Sequence, residues 1–208
     1  MMVWTIEASL KSKYINRTFV STEDAEIKEI ALAAGAEVID RPEEFTGEGT
    51  MAMIMTVNQF MHHLWKENYQ PDIYVHLYAT NPLRTEKHID EAIELHRKSK
   101  ENFLMGVCPA PDTHRFLQYI DSKTGLLEFY YHPIKYGAPC QYEELYCNNG
   151  AISIGYFPLS ASAYCVGNIS HALPYVMTEE DAFDVDTPID FKVAEMLLEE
   201  RLRGEGGT

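Results

Sequence analysis

The chain has 208 residues, of which 46% are hydrophobic and 24% are charged, and its formal net charge is −15. A chain of this length can bury a sizeable core, so we expect a single domain over residues 1–208. So acidic a protein argues against nucleic acid and anionic membrane surfaces as partners, because both attract basic faces. No apolar run approaches the length of a membrane span and the N-terminus lacks a signal-peptide pattern, so we expect a cytoplasmic protein.

The first elements along the chain are a helix and a strand–helix–strand unit. Residues 3–13 are amphipathic, and the candidate anchors of this helix are Trp4, Ile6, Ala8 and Leu10. A β-rich run at 17–22 leads into a helix at 23–35, which should end with Gly35 in the left-handed conformation. A second strand follows at 36–40. Such a unit places its two strands parallel in one sheet.

The alternation of helices and strands continues to the end of the chain. Helices are predicted at 51–68, 85–99, 159–167 and after Asp186, and strands at 72–80, 101–110, 148–158 and 172–177. This order predicts an α/β fold with a mostly parallel sheet and helices on both of its faces.

The segment 112–147 differs from the rest of the chain. Short aromatic runs alternate there with turn signals, which predicts β-hairpins inserted into the α/β domain. The segment is rich in tyrosine and would expose much apolar surface if it stood alone. It could therefore form a subunit interface or fold back onto the core of its own chain, and the sequence leaves both open.

Three aspartates lie close together before the last helix. In "DVD", an extended backbone would place Asp184 and Asp186 on one side, because strand side chains alternate. Two carboxylates beside substrate phosphates suit Mg²⁺ or Mn²⁺, whereas helix capping and contact with water alone are the other interpretation. Asp190 falls in the first turn of the helix, where the helix dipole favours a carboxylate.

Two further motifs lie where ligands bind in open α/β sheets. In "YATNPLRT" at 78–85, Arg84 could bind a carboxylate or a phosphate, or form a surface ion pair with Glu86 or Asp90. In "CNNGA" at 147–151, an asparagine could contact a polar ligand and Gly150 would allow close backbone approach. A plain turn that enters a strand is the alternative for this second motif.

Taken together, the segments 17–45, 78–85, 148–154 and 184–198 resemble the acylneuraminate cytidylyltransferases and their pseudaminic and legionaminic acid relatives. The resemblance implies a Rossmann-like fold of the nucleotide-diphospho-sugar transferase type, with a dimerisation element at 112–147 and a homodimer. It also implies transfer of CMP from CTP to an acidic nonulosonic sugar, with release of pyrophosphate and with Mg²⁺ as the cofactor.

The resemblance further implies the residues of the site. It places metal binding and the catalytic role at Asp184 and Asp186. It assigns nucleotide or sugar binding to Arg41, Tyr78, Thr80, Asn81, Arg84, Asn149 and Gly150.

Two departures from the family pattern keep other hypotheses open. "YATN" stands where sialic acid enzymes have Gln-Pro-Thr-Ser, and it is closer to the pseudaminic acid branch, so the sugar is open. The family's first strand and its glycine-rich phosphate loop have no match, since the first glycine is Gly35. A second hypothesis is therefore an N-terminally truncated, non-catalytic homologue that binds nucleotide or serves as an oligomer partner. A metal-dependent glycosyltransferase is a third, and the "NNGA" and "RPEEF" matches argue against it.

Overall fold

The computed structural model describes residues 1–45, 50–110, 118–129, 144–157 and 171–205 of the chain. The helices in these ranges are α1 (Met2–Lys11), α2 (Ala25–Ala33), α3 (Thr50–Lys66), α4 (Glu86–Lys98) and α5 (Pro188–Glu205), with a 3₁₀ turn at Glu43–Phe45. The strands are β1 (Phe19–Thr22), β2 (Glu37–Asp40), β3 (Ile73–His76), β4 (Phe103–Pro109), β5 (Gln118–Ile120), β6 (Leu127–Phe129), β7 (Tyr146–Tyr156) and β8 (Leu173–Val176).

The described strands form three sheets. β1 and β2 pair in parallel, as the strand–helix–strand pattern predicts. The largest sheet has the order β3-β7-β4-β8, in which β7 runs antiparallel to β3 and β4 while β4 and β8 are parallel. The α/β class is confirmed, with a sheet that is mixed. In the described residues β7 follows the β5–β6 hairpin rather than a crossover helix, and a strand that returns without such a helix pairs antiparallel.

Helix α1 buries a different face from the one expected. Ile6 and Ala8 are buried as predicted, but Trp4 and Leu10 are exposed. Residues two apart point away from each other on a helix of 3.6 residues per turn, so the four predicted anchors cannot share one face. Ile6 and Ala8 are both buried because they belong to different core clusters, Ile6 with Ala31 of α2 and Ala8 with Ile89 of α4. The buried face instead includes the polar residues Thr5 and Ser9.

Helix α2 begins and ends as its sequence predicts. The side chain of Asp24 accepts a hydrogen bond from the amide of Ile27 and caps the first turn. At the other end Gly35 has φ +92°, and the amide of Ala36 donates to the carbonyl of Ala31. Glycine adopts this left-handed conformation without the steric cost that a Cβ would add.

The main core lies between α4 and the four-stranded sheet. Ile89 and Ile93 of α4 are fully buried against Leu104 of β4 and against Ile152 and Ile154 of β7. Each buried aliphatic side chain contributes about 1.5–3 kcal/mol. This packing fixes β3, β4 and β7 beneath the loops that follow them.

Several expected features fall partly or wholly outside the described residues. The β5–β6 hairpin confirms β-structure within the 112–147 insert, whereas 112–117 and 130–143 lie outside the described ranges. The helix expected at 159–167 also lies outside them. In the described part of the chain, no helix is long and apolar enough to cross a membrane.

Candidate functional site

The buried amide of Asn81 joins three segments of the chain. Its side chain is fully buried, and its Nδ2 donates to the carbonyl oxygens of Asn149, Ala182 and Phe183 at 3.2, 3.1 and 3.4 Å. One side chain therefore connects the loop after β3, the first half of β7 and the turn after β8. These are the carboxyl ends of β3 and β8 and the amino half of the antiparallel β7, so they meet at one edge of the sheet.

The "DVD" segment is extended and lies against the loop after β3. The amide of Val185 donates to the carbonyl of Thr80 at 2.9 Å, and the Val185 side chain is buried. Asp184 and Asp186, on either side of it, are both exposed, as the alternation of an extended chain predicts. Neither carboxylate forms a hydrogen bond or an ion pair with any described residue.

Asp190 has the helix-start role that the sequence predicts. Its Oδ2 accepts hydrogen bonds from the amides of Asp186 and Thr187 and from the Thr187 hydroxyl, at 3.2, 2.7 and 2.8 Å. The Thr187 hydroxyl in turn accepts from the Asp190 amide. This reciprocal arrangement is a capping box, and the bonds to Thr187 lower the pKa of Asp190. It holds the Asp184–Asp186 segment at the start of α5.

The turn before Asp184 is held from the far end of α5. The guanidinium of Arg201 donates to Glu180 and Asp181, in each case at 2.7 Å, and to the carbonyl of Leu83 at 2.8 Å. Arg201 thereby joins this turn to the segment after β3. Arg201 could not be predicted from the sequence, because no local motif marks a residue that acts from the last turns of a helix.

Gly150 lies directly beneath the ring of Tyr78. It has φ +69°, and a Cβ at this position would lie 2.9 Å from Cδ2 of Tyr78. A close approach to the Gly150 backbone is therefore observed, and the group that approaches it is the Tyr78 side chain of the neighbouring loop. The motif is part of β7 rather than a free loop, and the Asn148 side chain accepts from the Gly150 amide at 3.0 Å.

Replacing Gly150 with alanine is expected to lower the free energy of unfolding by about 2–3 kcal/mol, because it adds a positive φ penalty and a clash with Tyr78. Gly125 is a matched control, since it has φ +70° but an alanine Cβ there would meet no atom within 4 Å. Gly125→Ala should therefore cost only the backbone part, about 1 kcal/mol. Urea denaturation of the two variants measures the difference, and equal losses would contradict the Tyr78 contact.

Asn149 is buried, and its side chain is hydrogen-bonded to the neighbouring backbone. Its Oδ1 accepts from the amide of Ala151 at 3.0 Å, while its Nδ2 has no hydrogen-bond partner among the described residues. Gly106 on β4 makes room for it, because a Cβ there would lie 2.7 Å from the Asn149 Oδ1. Gly106, like Arg201, is therefore a supporting residue that no sequence motif marks.

Arg84 is buried and contacts no carboxylate among the described residues. Its Nη1 donates to the carbonyls of Ala151 and Tyr78 at 2.6 and 3.2 Å, and its Nη2 donates to the Thr5 hydroxyl at 2.8 Å. Burial lowers its pKa to about 10, which leaves it protonated at neutral pH. The alternative of a surface ion pair with Glu86 or Asp90 is wrong, because Arg84 is only 2% exposed. Thr5, which the sequence presented as part of an ordinary helix, completes this arrangement.

His76 ends β3 just below this loop. Burial, together with the charge of Arg84, lowers its pKa to about 4, so the imidazole is neutral at pH 7. Its ring lies against that of Tyr78, with centroids 4.7 Å apart.

Arg41 lies apart from the other candidates. It follows β2, and its guanidinium forms an ion pair with Glu23, with its Nε 2.6 Å from the carboxylate. It lines a cavity of about 930 Å³ from the β2 side, whereas Tyr78 lines the same cavity from the β3 side. The structure thus brings six of the seven predicted binding residues and both aspartates together, and leaves Arg41 across the cavity.

Comparison with known proteins matches the sequence of this chain to one family. The family model described as "Cytidylyltransferase" matches residues 1–130. The chain is 26% identical over 205 residues to the N-acylneuraminate cytidylyltransferase of Escherichia coli O18:K1:H7, covering 98% of this chain and 47% of that protein. It is also 26% identical over 210 residues to the CMP-N,N'-diacetyllegionaminic acid synthase of Legionella pneumophila, covering 96% of this chain and 85% of that protein.

A solved structure gives the same fold. CMP:2-keto-3-deoxy-manno-octonic acid synthetase complexed with CTP superposes with a TM-score of 0.65 at 13% identity, over 96% of this chain and 88% of that one. This likeness confirms the Rossmann-like nucleotidyltransferase fold. The chain spans less than half the length of the Escherichia coli relative.

Proposed function

The chain belongs to the cytidylyltransferase family, and we propose that it transfers CMP from CTP to a nonulosonic, sialic-acid-like sugar with release of pyrophosphate. The observation that carries this proposal is the convergence of three segments on Asn81 at one edge of the sheet. Ligands bind at this edge in open α/β sheets. The names of the curated relatives support a sugar acid of the acylneuraminate or legionaminate type as the acceptor.

The seven proposed binding residues divide by exposure. Tyr78, Thr80 and Gly150 are accessible and contact the nucleotide or the sugar, and Arg41 approaches the same ligands from the β2 side. The buried residues Asn81, Arg84 and Asn149 act by holding the segments in register. Such positioning is the main contribution that a protein makes to phosphoryl-type transfer.

Asp184 and Asp186 are the proposed metal ligands. Both carboxylates are exposed and free of hydrogen bonds within the described residues, and no group of three His, Cys, Asp or Glu side chains there could hold a metal alone. This fits Mg²⁺ or Mn²⁺, which bind through one or two carboxylates and complete their shell with substrate phosphates and water. When bound, the cation offsets the negative charge of the triphosphate and of the departing pyrophosphate.

The reaction is a single displacement at phosphorus. The anomeric hydroxyl oxygen of the sugar forms a bond to the α-phosphorus of CTP, and the bond from that phosphorus to the bridging oxygen breaks. Pyrophosphate leaves, and the hydroxyl proton passes to water. The loop held by Asn81 and Arg84 keeps Tyr78 at the rim of the cavity and Thr80 against the Asp184–Asp186 segment during this step.

The proposal is tested by measuring pyrophosphate release from CTP and Mg²⁺ with N-acetylneuraminic, N,N'-diacetyllegionaminic and pseudaminic acids in parallel. Release with one of these sugars, and not with CTP alone, is the expected result. Chromatography should then detect one equivalent of CMP-sugar for each pyrophosphate released. Absence of release with every sugar, in a sample whose folding is verified by circular dichroism, contradicts the activity.

A non-catalytic homologue is the second candidate, and the open space between β1 and β3 favours it. This candidate predicts CTP binding by calorimetry without pyrophosphate release. Calorimetry with CTP and the pyrophosphate-release assay together therefore separate the two candidates.

We further propose a cytoplasmic homodimer whose interface includes the 112–147 insert. On the described hairpin, the apolar side chains of Ile120, Leu126 and Leu127 are 69%, 67% and 63% exposed. Adjacent exposed apolar side chains of this kind are typical of a surface that binds another protein chain. Light scattering after size exclusion should give the mass of two chains, and a monomer at micromolar concentration contradicts the dimer.

A further inference from the structure

Two cysteines lie opposite each other at the edge of the sheet that carries the candidate site. Cys108 of β4 and Cys147 of β7 are direct partners in the antiparallel register, and both are half-buried thiols. Cys108 lies next to the carboxyl end of β4, which is parallel to β8, and Cys147 lies next to the start of β7. Directly opposed residues point to the same face of a sheet, so the two side chains are neighbours.

The hydrogen bonds around the two cysteines indicate their separation. The amide of Ala110 donates to the carbonyl of Leu145 at 2.8 Å, so these two residues form a hydrogen-bonded pair. Hydrogen-bonded and non-hydrogen-bonded pairs alternate, and the cysteines lie two residues further along the ladder, so theirs is hydrogen-bonded too. The carbonyl of Val107 accepts from the amide of Met177 on the β8 side, which leaves the next residue, Cys108, facing β7. Such a pair has Cα atoms about 5.5 Å apart, within the range of about 4.4–6.8 Å that a disulfide spans.

A disulfide at this position is strained and therefore easily reduced. Opposed Cβ atoms lie about 4.5–5.5 Å apart, at the wider end for a hydrogen-bonded pair, whereas a disulfide joins Cβ atoms about 3.8 Å apart. The two strands must therefore approach each other here by about 1–2 Å. The cysteines lie near the strand ends and beside the register shift between Met105 and Val107, where the ladder constrains the backbone least. Strained disulfides are the labile and regulatory ones.

The first half of β7, which must move when this gap closes, belongs to the candidate site. Cys147 is two residues from Asn149, whose carbonyl accepts from the amide of Asn81 at 3.2 Å. On β4, Gly106 lies two residues before Cys108, and a Cβ there would lie 2.7 Å from the Asn149 Oδ1. Asn149 is thus in close contact with both β4 and the loop after β3. Because packed interiors transmit strain, a shift of the two strands displaces Asn149 relative to Asn81.

We propose that Cys108 and Cys147 form a reversible disulfide that shifts the first half of β7 at the candidate site. Hydrogen peroxide can serve as the oxidant: the thiolate of one cysteine attacks a peroxide oxygen and becomes a sulfenic acid, and water leaves. The second thiol attacks this sulfur, the S–S bond forms, and a second water leaves. A small dithiol reverses the reaction by two thiol–disulfide exchanges and is itself oxidised to a cyclic disulfide.

Peptide mapping by mass spectrometry tests the disulfide. The chain is treated with hydrogen peroxide, the remaining thiols are blocked with iodoacetamide, and the peptides that contain Cys108 and Cys147 should be recovered joined to each other. The treatment is run at about pH 8, because burial and the nearby Cys147 and Glu179 raise the pKa of Cys108, and the thiolate is the reacting form. A second sample carries Cys140→Ser and Cys165→Ser, so that only the described pair remains.

The oxidised chain gives two further readouts. The amide chemical shifts of Asn149, Gly150 and Ala151 should change on oxidation and return with dithiothreitol. If the chain transfers CMP as proposed, the transfer rate should fall about 10-fold in the oxidised form, since misplacement by about 1 Å has effects of this order or larger. Cys108→Ser is the matched control, and neither its chemical shifts nor its rate should respond to peroxide. It retains every methionine, so it also reports any effect of methionine oxidation.

Three outcomes overturn the proposal. In the first, Cys108 and Cys147 are recovered as separate alkylated peptides, or each is joined to another cysteine of the parent chain. In the second, the disulfide maps to this pair but the three amide shifts stay unchanged. In the third, Cys108→Ser responds to peroxide as the parent does. Mapping and chemical shifts do not depend on turnover, so a chain that forms this disulfide but transfers no CMP contradicts the proposed function alone.

Discussion

Replacing Asp186 with asparagine is expected to lower the rate of CMP transfer about 10³-fold. The free energy of unfolding should change by only about 0.5 kcal/mol. The Asp186 carboxylate is exposed and forms no hydrogen bond or ion pair within the described residues, so its removal disturbs no contact among them. Its amide, which donates to Asp190, is retained. The loss should therefore fall on cation binding.

Asp190→Asn is the matched control for this change. Asp190 lies four residues further along the same segment, and its carboxylate belongs to the capping box with Thr187. The substitution removes one negative charge, as Asp186→Asn does. Asparagine retains one acceptor oxygen, so transfer should stay within about threefold of the parent rate. A second readout does not need turnover: Mn²⁺ added with CTP should broaden the amide signals of residues 182–187 in the parent and not in Asp186→Asn. Full turnover in Asp186→Asn, or equal losses in both variants, contradicts the assignment.

Much of the fold could be predicted because its local signals agree with its tertiary contacts. The helix at 25–33 has a capping aspartate at one end and Gly35 at the other, and both act in the structure as expected. The "DVD" alternation was predictable for a similar reason, since Val185 is the one apolar residue between two aspartates and it is the one that is buried. Period-two and capping patterns depend on neighbours within a few residues, so sequence alone can reveal them.

The remaining features depend on residues far apart in the chain. β7 is antiparallel because it pairs with β3 and β4, and no pattern within residues 146–156 predicts which strands it pairs with. The supporting roles of Thr5, Gly106 and Arg201 join segments 79, 43 and 118 residues apart. In α1 the sequence shows apolar residues on more than one face, and only the position of the helix over the cavity explains why Thr5 and Ser9 are buried while Trp4 is exposed.

Replacing Arg84 with methionine is expected to lower the free energy of unfolding by about 2–4 kcal/mol. The guanidinium supplies hydrogen bonds to two carbonyls and one hydroxyl, and bonds from a charged donor each contribute about 1.5–3 kcal/mol. Burial of the charge opposes them: lowering the pKa of Arg84 from its ordinary value to about 10 corresponds to a cost of about 3 kcal/mol. Methionine recovers that cost but leaves the carbonyls of Tyr78 and Ala151 without this donor, so the hydrogen bonds outweigh the cost of burial.

Arg203→Met provides the control, because this side chain is 72% exposed and pairs only with Glu199 one turn away among the described residues. Its loss should change the free energy of unfolding by less than about 0.5 kcal/mol. Denaturant titration measures both variants. Arg84→Lys then separates charge from geometry, since lysine retains a cation but cannot reach the carbonyl of Ala151 and the hydroxyl of Thr5 together with a planar fork. If lysine restores full stability, a point charge suffices at this position, and the forked contact is not what holds the loop after β3 to β7 and α1.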